Sequence, residues 1–168
     1  PPSTLSRAGF EARVNEMIGR VHNLAAEDPR IRRLMDDIAK LRAEYASDLP
    51  DPVQVISTGR AGTTTLYDLL ARSGVYQPYH SFVSQSLPRE RLELLTRLRE
   101  GLADEEFLRD QVLRYLQSRV AEIFFAYRNG RIPVIVSHWD VIFSPINLAL
   151  FPEMKILYLD RDAKQAAG

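Results

Sequence analysis

The residues best suited to chemistry in this chain lie in one short segment, Gly59–Thr65. Two glycines, one arginine and three consecutive threonines follow a β-branched run and precede an apolar helical pattern. This order predicts a strand, a tight turn and a helix N-terminus, where unpaired amides and the helix dipole favour an anion. The glycines allow close backbone approach. The guanidinium of Arg60 and the hydroxyls of Thr63, Thr64 and Thr65 suit phosphate or sulfate better than carboxylate. The segment therefore predicts a site for a phosphorylated small molecule.

The segment differs from a Walker A loop, in which Gly-Lys-Ser/Thr places a lysine on the β/γ-phosphates. Thr63 stands where that lysine is expected, and the whole chain has only three lysines. An ATP or GTP site is therefore disfavoured. A P-loop kinase or nucleotide hydrolase with a degenerate loop remains an alternative, with Asp140 and Asp160 as its candidate metal ligands. A threonine-capped helix that binds no ligand is a further interpretation.

Three motifs, in this order, resemble those of sulfotransferases that use 3′-phosphoadenosine 5′-phosphosulfate (PAPS). Thr58–Leu66 is similar to the family's 5′-phosphosulfate loop, and Pro133–Trp139 resembles its strand ending in Lys-Thr-His. Lys155–Gly168 is similar to the 3′-phosphate segment. The resemblance covers roughly residues 50–168. It implies a sulfotransferase that moves a sulfuryl group from PAPS to an acceptor hydroxyl or amine and releases the desulfated product PAP.

The resemblance also implies roles for individual residues. The 5′-phosphosulfate would be bound by the loop residues Arg60, Ala61, Gly62, Thr63, Thr64 and Thr65. Arg60 would stabilise the leaving oxygen, and the planar fork of Arg161 would bind the 3′-phosphate. Because the phosphates of PAPS are single and separated, arginines, hydroxyls and helix amides suffice, and no metal is expected.

A general base must accept the proton of the acceptor, and histidine is the natural candidate near neutral pH. His138 follows a buried-type strand, precedes Arg161 by 23 residues and matches the family's base position. It is the first choice, and His80, at the end of a predicted second strand, is the second. For either residue, an imidazole bonded to the backbone is the structural alternative. His22, among polar neighbours, is interpreted as a surface residue.

Strand and helix patterns alternate after residue 49. Strands are predicted over residues 53–57, 75–79, 132–137 and 155–160, and helices over residues 64–73, 88–101, 104–127 and within 141–152. This alternation predicts an α/β fold with a parallel sheet flanked by helices and a ligand at the carboxyl ends of the strands. The resemblance implies a P-loop NTPase-like sulfotransferase fold, incomplete in this chain.

Residues 1–48 are predicted to form a helical hairpin. Apolar residues recur every three or four positions on both sides of Asp28-Pro29. The hairpin has three candidate roles: packing on the core, which is favoured, covering a substrate, or joining copies in a homo-oligomer. Residues 49–168 would then be the N-terminal part of a sulfotransferase-like domain. The family's pattern continues with a serine eight residues after Arg161, one residue beyond this sequence.

Composition excludes some classes of function. The formal net charge is zero at pH 7, so nothing indicates a nucleic-acid surface. The chain has no cysteine, which excludes disulfides, thiolate metal sites and cysteine nucleophiles. No apolar run approaches the roughly 20 residues of a membrane span, and with no visible signal peptide a cytoplasmic location is expected. The acceptor class stays open, and so does a non-catalytic binding or scaffold domain.

Overall fold

The computed structural model describes residues 7–57, 62–80, 93–94, 96–97, 100–136 and 138–159. The chain runs through helices α1 (Arg7–Glu27) and α2 (Pro29–Tyr45), strand β1 (Val53–Ser57), helix α3 (Thr63–Arg72), strand β2 (Tyr76–His80), helix α4 (Glu105–Arg128), strand β3 (Ile132–Val136), a 3₁₀ helix (His138–Phe143), helix α5 (Ser144–Leu150) and strand β4 (Lys155–Leu159). The helix predicted over residues 88–101 falls largely outside the described residues, but the described residues 93, 94, 96, 97 and 100 are helical.

The four strands form one sheet in the order β2-β3-β1-β4. Every neighbouring pair is parallel, so each connection must cross from one end of the sheet to the other, as α3, α4 and α5 do. The connection from β1 to β2 moves along the sheet in one direction, whereas the connections from β2 to β3 and from β3 to β4 move in the opposite direction. Right-handed crossovers then place α3 on one face and α4 and α5 on the other. The predicted α/β class, with a parallel sheet between helices, is confirmed.

Each face of the sheet has its own hydrophobic core. On the α3 face, Val55, Val134 and Val136 are buried against Leu66 and Leu70. The larger core on the opposite face combines residues from both N-terminal helices with residues from α4 and α5, among them Val21, Ile31, Ile38, Leu108, Leu116, Ile123 and Ile146. The helical hairpin therefore packs on the core, as predicted.

Asp28 joins the hairpin to α4. Its carboxylate caps α2 by accepting hydrogen bonds from the amides of Arg30 at 2.9 Å and Ile31 at 3.2 Å. The other carboxylate oxygen accepts a bond from Nε of Arg109 at 2.5 Å. Burial alone would raise the pKa of Asp28, but the hydrogen bonds from Ile31, Arg109 and Arg30 together lower it. The Asp28-Pro29 break in the sequence pattern is thus both a helix cap and a tertiary contact.

Candidate functional site

Three of the predicted motifs follow strands that end at the same edge of the sheet. His80 is paired with Val136 across β2 and β3, and Ser57 is paired with Leu159 across β1 and β4. The segments that leave these strands therefore begin side by side, where ligands of open parallel sheets bind. Arg60 and Ala61, between β1 and α3, lie outside the described residues, as does Arg161, two positions after the end of β4.

Gly62 begins helix α3 in a left-handed conformation. Its φ is 87°, and a Cβ at this position would meet no atom within 4 Å, so the backbone angle and not crowding is what favours glycine. No side chain caps the helix at Gly62. Thr63, Thr64 and Thr65 form the first turn, with Thr63 half-buried and the next two exposed. Within the described residues, the amides of this turn thus have no side-chain cap and lie beside three hydroxyls, an arrangement that favours an anion.

His80 contacts this helix N-terminus directly. Its Nε2 lies 3.1 Å from Oγ1 of Thr63, within hydrogen-bond distance. The imidazole is 7% exposed, and the ring of Tyr67 on α3 packs edge-on against it with the centroids 6.1 Å apart. Burial lowers the pKa of His80, which favours the neutral imidazole near pH 7. Among the sequence-predicted residues whose side chains the structure describes, His80 and Thr63 are brought into contact.

His138 begins the 3₁₀ helix two positions after Val136, the residue paired with His80. The topology therefore brings the two histidine positions to neighbouring strand ends. The side chain of His138 lies outside what the structure describes, so its selection as the first-choice base stays a prediction. His22 is exposed on α1, as the sequence suggested.

A buried ion pair lies next to these strand ends. Arg119 of α4 is 3% exposed and Asp140 of the 3₁₀ helix is 0% exposed. One terminal nitrogen of Arg119 donates to Oδ2 of Asp140 at 2.5 Å, and the other donates to Oε2 of Glu122 at 2.5 Å. Burial acts to lower the pKa of Arg119, but the charge of Asp140, together with Tyr115 and Glu122, outweighs it and raises that pKa. The guanidinium therefore stays charged, and Asp140 is directed to it from the 3₁₀ helix.

Arg119 was not among the functional residues predicted from the sequence. The signal was present, because Arg119 stands four residues from both Tyr115 and Ile123 within the apolar stripe of α4. A charged residue in a buried stripe requires a partner of opposite charge. That partner, Asp140, is distant in sequence, and only the tertiary structure identifies it.

A cleft of about 350 Å³ opens elsewhere, between the end of α1 and the beginnings of α2 and α4. Four of its five charged residues have protein partners. Arg109 is paired with Asp28 at 2.5 Å and with Glu105 at 2.9 Å, and Arg20 donates to the carbonyl of Ala103 at 2.8 Å. No residue of the described strands or of α3 lines this cleft, so we place the candidate site at Thr63 and His80 instead.

The burial of His80 predicts how stability depends on pH. In the unfolded chain an imidazole titrates near its ordinary pKa of about 6.5, whereas burial lowers the pKa in the folded protein. As the pH falls below about 6.5, the unfolded state binds the proton first, so the free energy of unfolding decreases until the folded-state pKa is passed. Urea unfolding between about pH 8 and about pH 5 measures this decrease.

The matched variants for this experiment are His80→Asn and His22→Asn. The first is expected to flatten the decrease, and the second, on the exposed face of α1, is expected to leave it in place. A decrease of unchanged size in His80→Asn would show that another group is responsible.

Comparison of the chain with protein-family models, with curated proteins and with solved structures finds no match. Within the described part of the chain, no helix combines the length and the apolar character needed to cross a membrane. Among the same residues, no three His, Cys, Asp or Glu side chains are grouped so that they could share a metal ion. The resemblance to PAPS-dependent sulfotransferases therefore rests on the three sequence motifs.

Proposed function

We propose that this chain binds PAPS and transfers its sulfuryl group to an acceptor hydroxyl or amine, in a P-loop-like sulfotransferase fold. The observation that carries the proposal is the contact between His80 and Thr63 at the uncapped N-terminus of α3. It places a titratable imidazole beside the amides and hydroxyls best suited to hold an anionic donor. The three sequence motifs supply the identity of that donor.

The described residues fit the 5′-phosphosulfate. The first turn of α3 offers the positive end of a helix dipole and the hydroxyls of Thr63, Thr64 and Thr65. Arg60 precedes this turn by three residues and brings the positive charge that the described part of the turn lacks. Arg161, beyond the neighbouring strand β4, would bind the separate 3′-phosphate.

The residues around the acceptor have three tasks. His80, neutral because its pKa is lowered, takes the proton of the acceptor hydroxyl at a ring nitrogen. Thr63 orients that imidazole, and Arg60 with the α3 amides stabilises the charge that develops on the leaving phosphate oxygen. PAPS supplies the sulfuryl group: the acceptor oxygen forms the new bond to sulfur, the bridging sulfur–oxygen bond breaks, and PAP departs with that electron pair.

We assign the base to His80, whose Nε2 lies at the anion site, and keep His138, whose side chain lies outside the described residues, as the alternative. The position of Asp140 argues against it as a metal ligand of the kinase alternative, whose other candidate, Asp160, lies outside the described residues. The fully buried carboxylate of Asp140 faces Arg119, where a metal ligand would have to face the nucleotide. The alternative of a non-catalytic scaffold domain predicts that neither PAPS nor PAP binds at this site.

Calorimetric titration of the protein with PAP in the absence of metal, and separately with Mg-ATP, tests the proposal. We expect micromolar binding of PAP and little heat from Mg-ATP, because the site offers hydroxyls and arginines but no Walker lysine. Tight binding of Mg-ATP with none of PAP would identify a variant nucleotide site, and binding of neither would favour the scaffold. In the same titration, His80→Asn is expected to retain the affinity for PAP. In an activity assay, the same variant is expected to lose transfer from PAPS. Unchanged transfer would identify His138 as the base instead.

A further inference from the structure

The two strand ends that carry the histidines are attached to the same turn of α4. The hydroxyl of Tyr79, the residue before His80, donates to the carbonyl oxygen of Glu122 at 2.5 Å. Arg119, three residues before Glu122, donates to Asp140 at 2.5 Å, and Asp140 follows His138 by two positions. One helical turn therefore holds both β2 and the segment after β3.

Arg119 is linked to the 3₁₀ helix in two ways, directly through Asp140 and indirectly through Tyr115. Its guanidinium is paired with Asp140 in the first part of that helix. The same guanidinium lies 5.9 Å from the ring centroid of Tyr115, which stacks on Phe143 at the end of the 3₁₀ helix with centroids 4.1 Å apart. The charge pair and the ring stack together define both the position and the direction of this short helix.

Stability alone is a weak reason to bury such a pair. The desolvation of two buried charges often equals or exceeds their attraction, and a well-packed apolar pair can replace them without loss. What an apolar pair lacks is the directional bonding of the planar guanidinium fork, which here donates with one terminal nitrogen to Asp140 and with the other to Glu122. The charged pair at this position is therefore better explained by accurate positioning of the 3₁₀ helix than by stabilisation of the fold through burial.

We propose that Arg119 is a positioning residue of the candidate site, which through Asp140 places the segment bearing His138 beside His80. Its importance for sulfuryl transfer rests on the proposed function. The placement itself does not, because it can be measured on the protein without any ligand.

The chain contains three histidines, which makes the placement observable by NMR. In a protein labelled at the histidine rings, His22 on the exposed face of α1 serves as an internal reference. Arg119→Lys keeps the charge but loses the fork, and Asp140→Asn keeps the shape but loses the charge. In both variants we expect the His138 ring signal to shift and broaden, the His80 signal to shift less, and the His22 signal to stay in place.

Ile123→Val is the matched control, because Ile123 lies one turn further along α4 and is 1% exposed but takes no part in the ion pair. It is expected to lower the melting temperature without moving the His138 signal. The proposal is overturned if the His138 signal is unchanged in both Arg119→Lys and Asp140→Asn, or if it moves equally in Ile123→Val. Should Arg119→Lys fail to fold, Asp140→Asn decides the matter. If wild-type protein fails to bind PAP, the proposed function is wrong, but the NMR result still tests the placement.

Discussion

Replacement of Arg119 by methionine is expected to lower the free energy of unfolding by about 3–5 kcal/mol, because it leaves the carboxylate of Asp140 buried without its positive partner. Asp140 is 0% exposed, so water cannot replace the lost guanidinium without opening the core. Glu122, whose side chain is 21% exposed, can be hydrated and contributes less to the loss. Urea unfolding followed by circular dichroism measures the change.

The double variant Arg119→Met with Asp140→Leu is the control for this experiment. It removes both charges and fills the space with apolar groups, so most of the lost stability is expected to return. The single variant Asp140→Leu completes the double-mutant cycle and gives the coupling energy of the pair. A loss below about 1 kcal/mol in Arg119→Met would show that the pair behaves like a surface ion pair and is not desolvated.

Replacement of Arg60 by alanine is expected to slow the consumption of PAPS by about 10²–10³-fold, the usual effect of removing one donor that stabilises charge in the transition state. Under the proposed mechanism, Arg60 acts on the leaving phosphate oxygen, so the rate falls more than the affinity for PAP. The release of PAP from PAPS, measured with phenol, carbohydrate and amine acceptors, reports this rate. Arg161→Ala, by contrast, is expected mainly to weaken PAP binding.

Arg72→Ala is the matched control for Arg60→Ala. It makes the same change of charge at the exposed far end of α3, about 15 Å from the first turn for a ten-residue helix. Its rate is expected to equal that of the wild type, while Arg60→Lys, which keeps a positive charge, is expected to recover part of the loss. Equal losses in Arg60→Ala and Arg72→Ala would mean that net charge matters and that Arg60 has no specific role.

Local sequence patterns predicted the elements closely. The first strand was predicted over residues 53–57 and is observed as Val53–Ser57. The second was predicted one residue early, since β2 begins at Tyr76, opposite Ile132 of β3. The long helix was predicted over residues 104–127, and Asp104 proves to be its N-cap, with Glu105 as the first helical residue. Caps and strand limits shift by one residue because they depend on hydrogen bonds as well as on propensity.

The candidate site was predicted in part. The glycine turn, the threonines and His80 were identified because each type of residue has a local chemical meaning at a strand or helix end. The ranking of His138 above His80 came from the resemblance, and the contact between His80 and Thr63 was not foreseen. Those two residues are 17 positions apart, and they meet because α3, which follows β1, packs against β2.

The amino-acid sequence by itself determined the α/β class, the glycine at the N-terminus of α3 and the helical hairpin, because these follow from periodicity and from the conformational preferences of glycine, proline and β-branched residues. The tertiary structure decided the strand order, the contact of His80 with Thr63 and the pairing of Arg119 with Asp140. These features depend on which strands become neighbours and on which charged groups are buried together. Both are long-range properties that are established only when the two hydrophobic cores form on either side of the sheet.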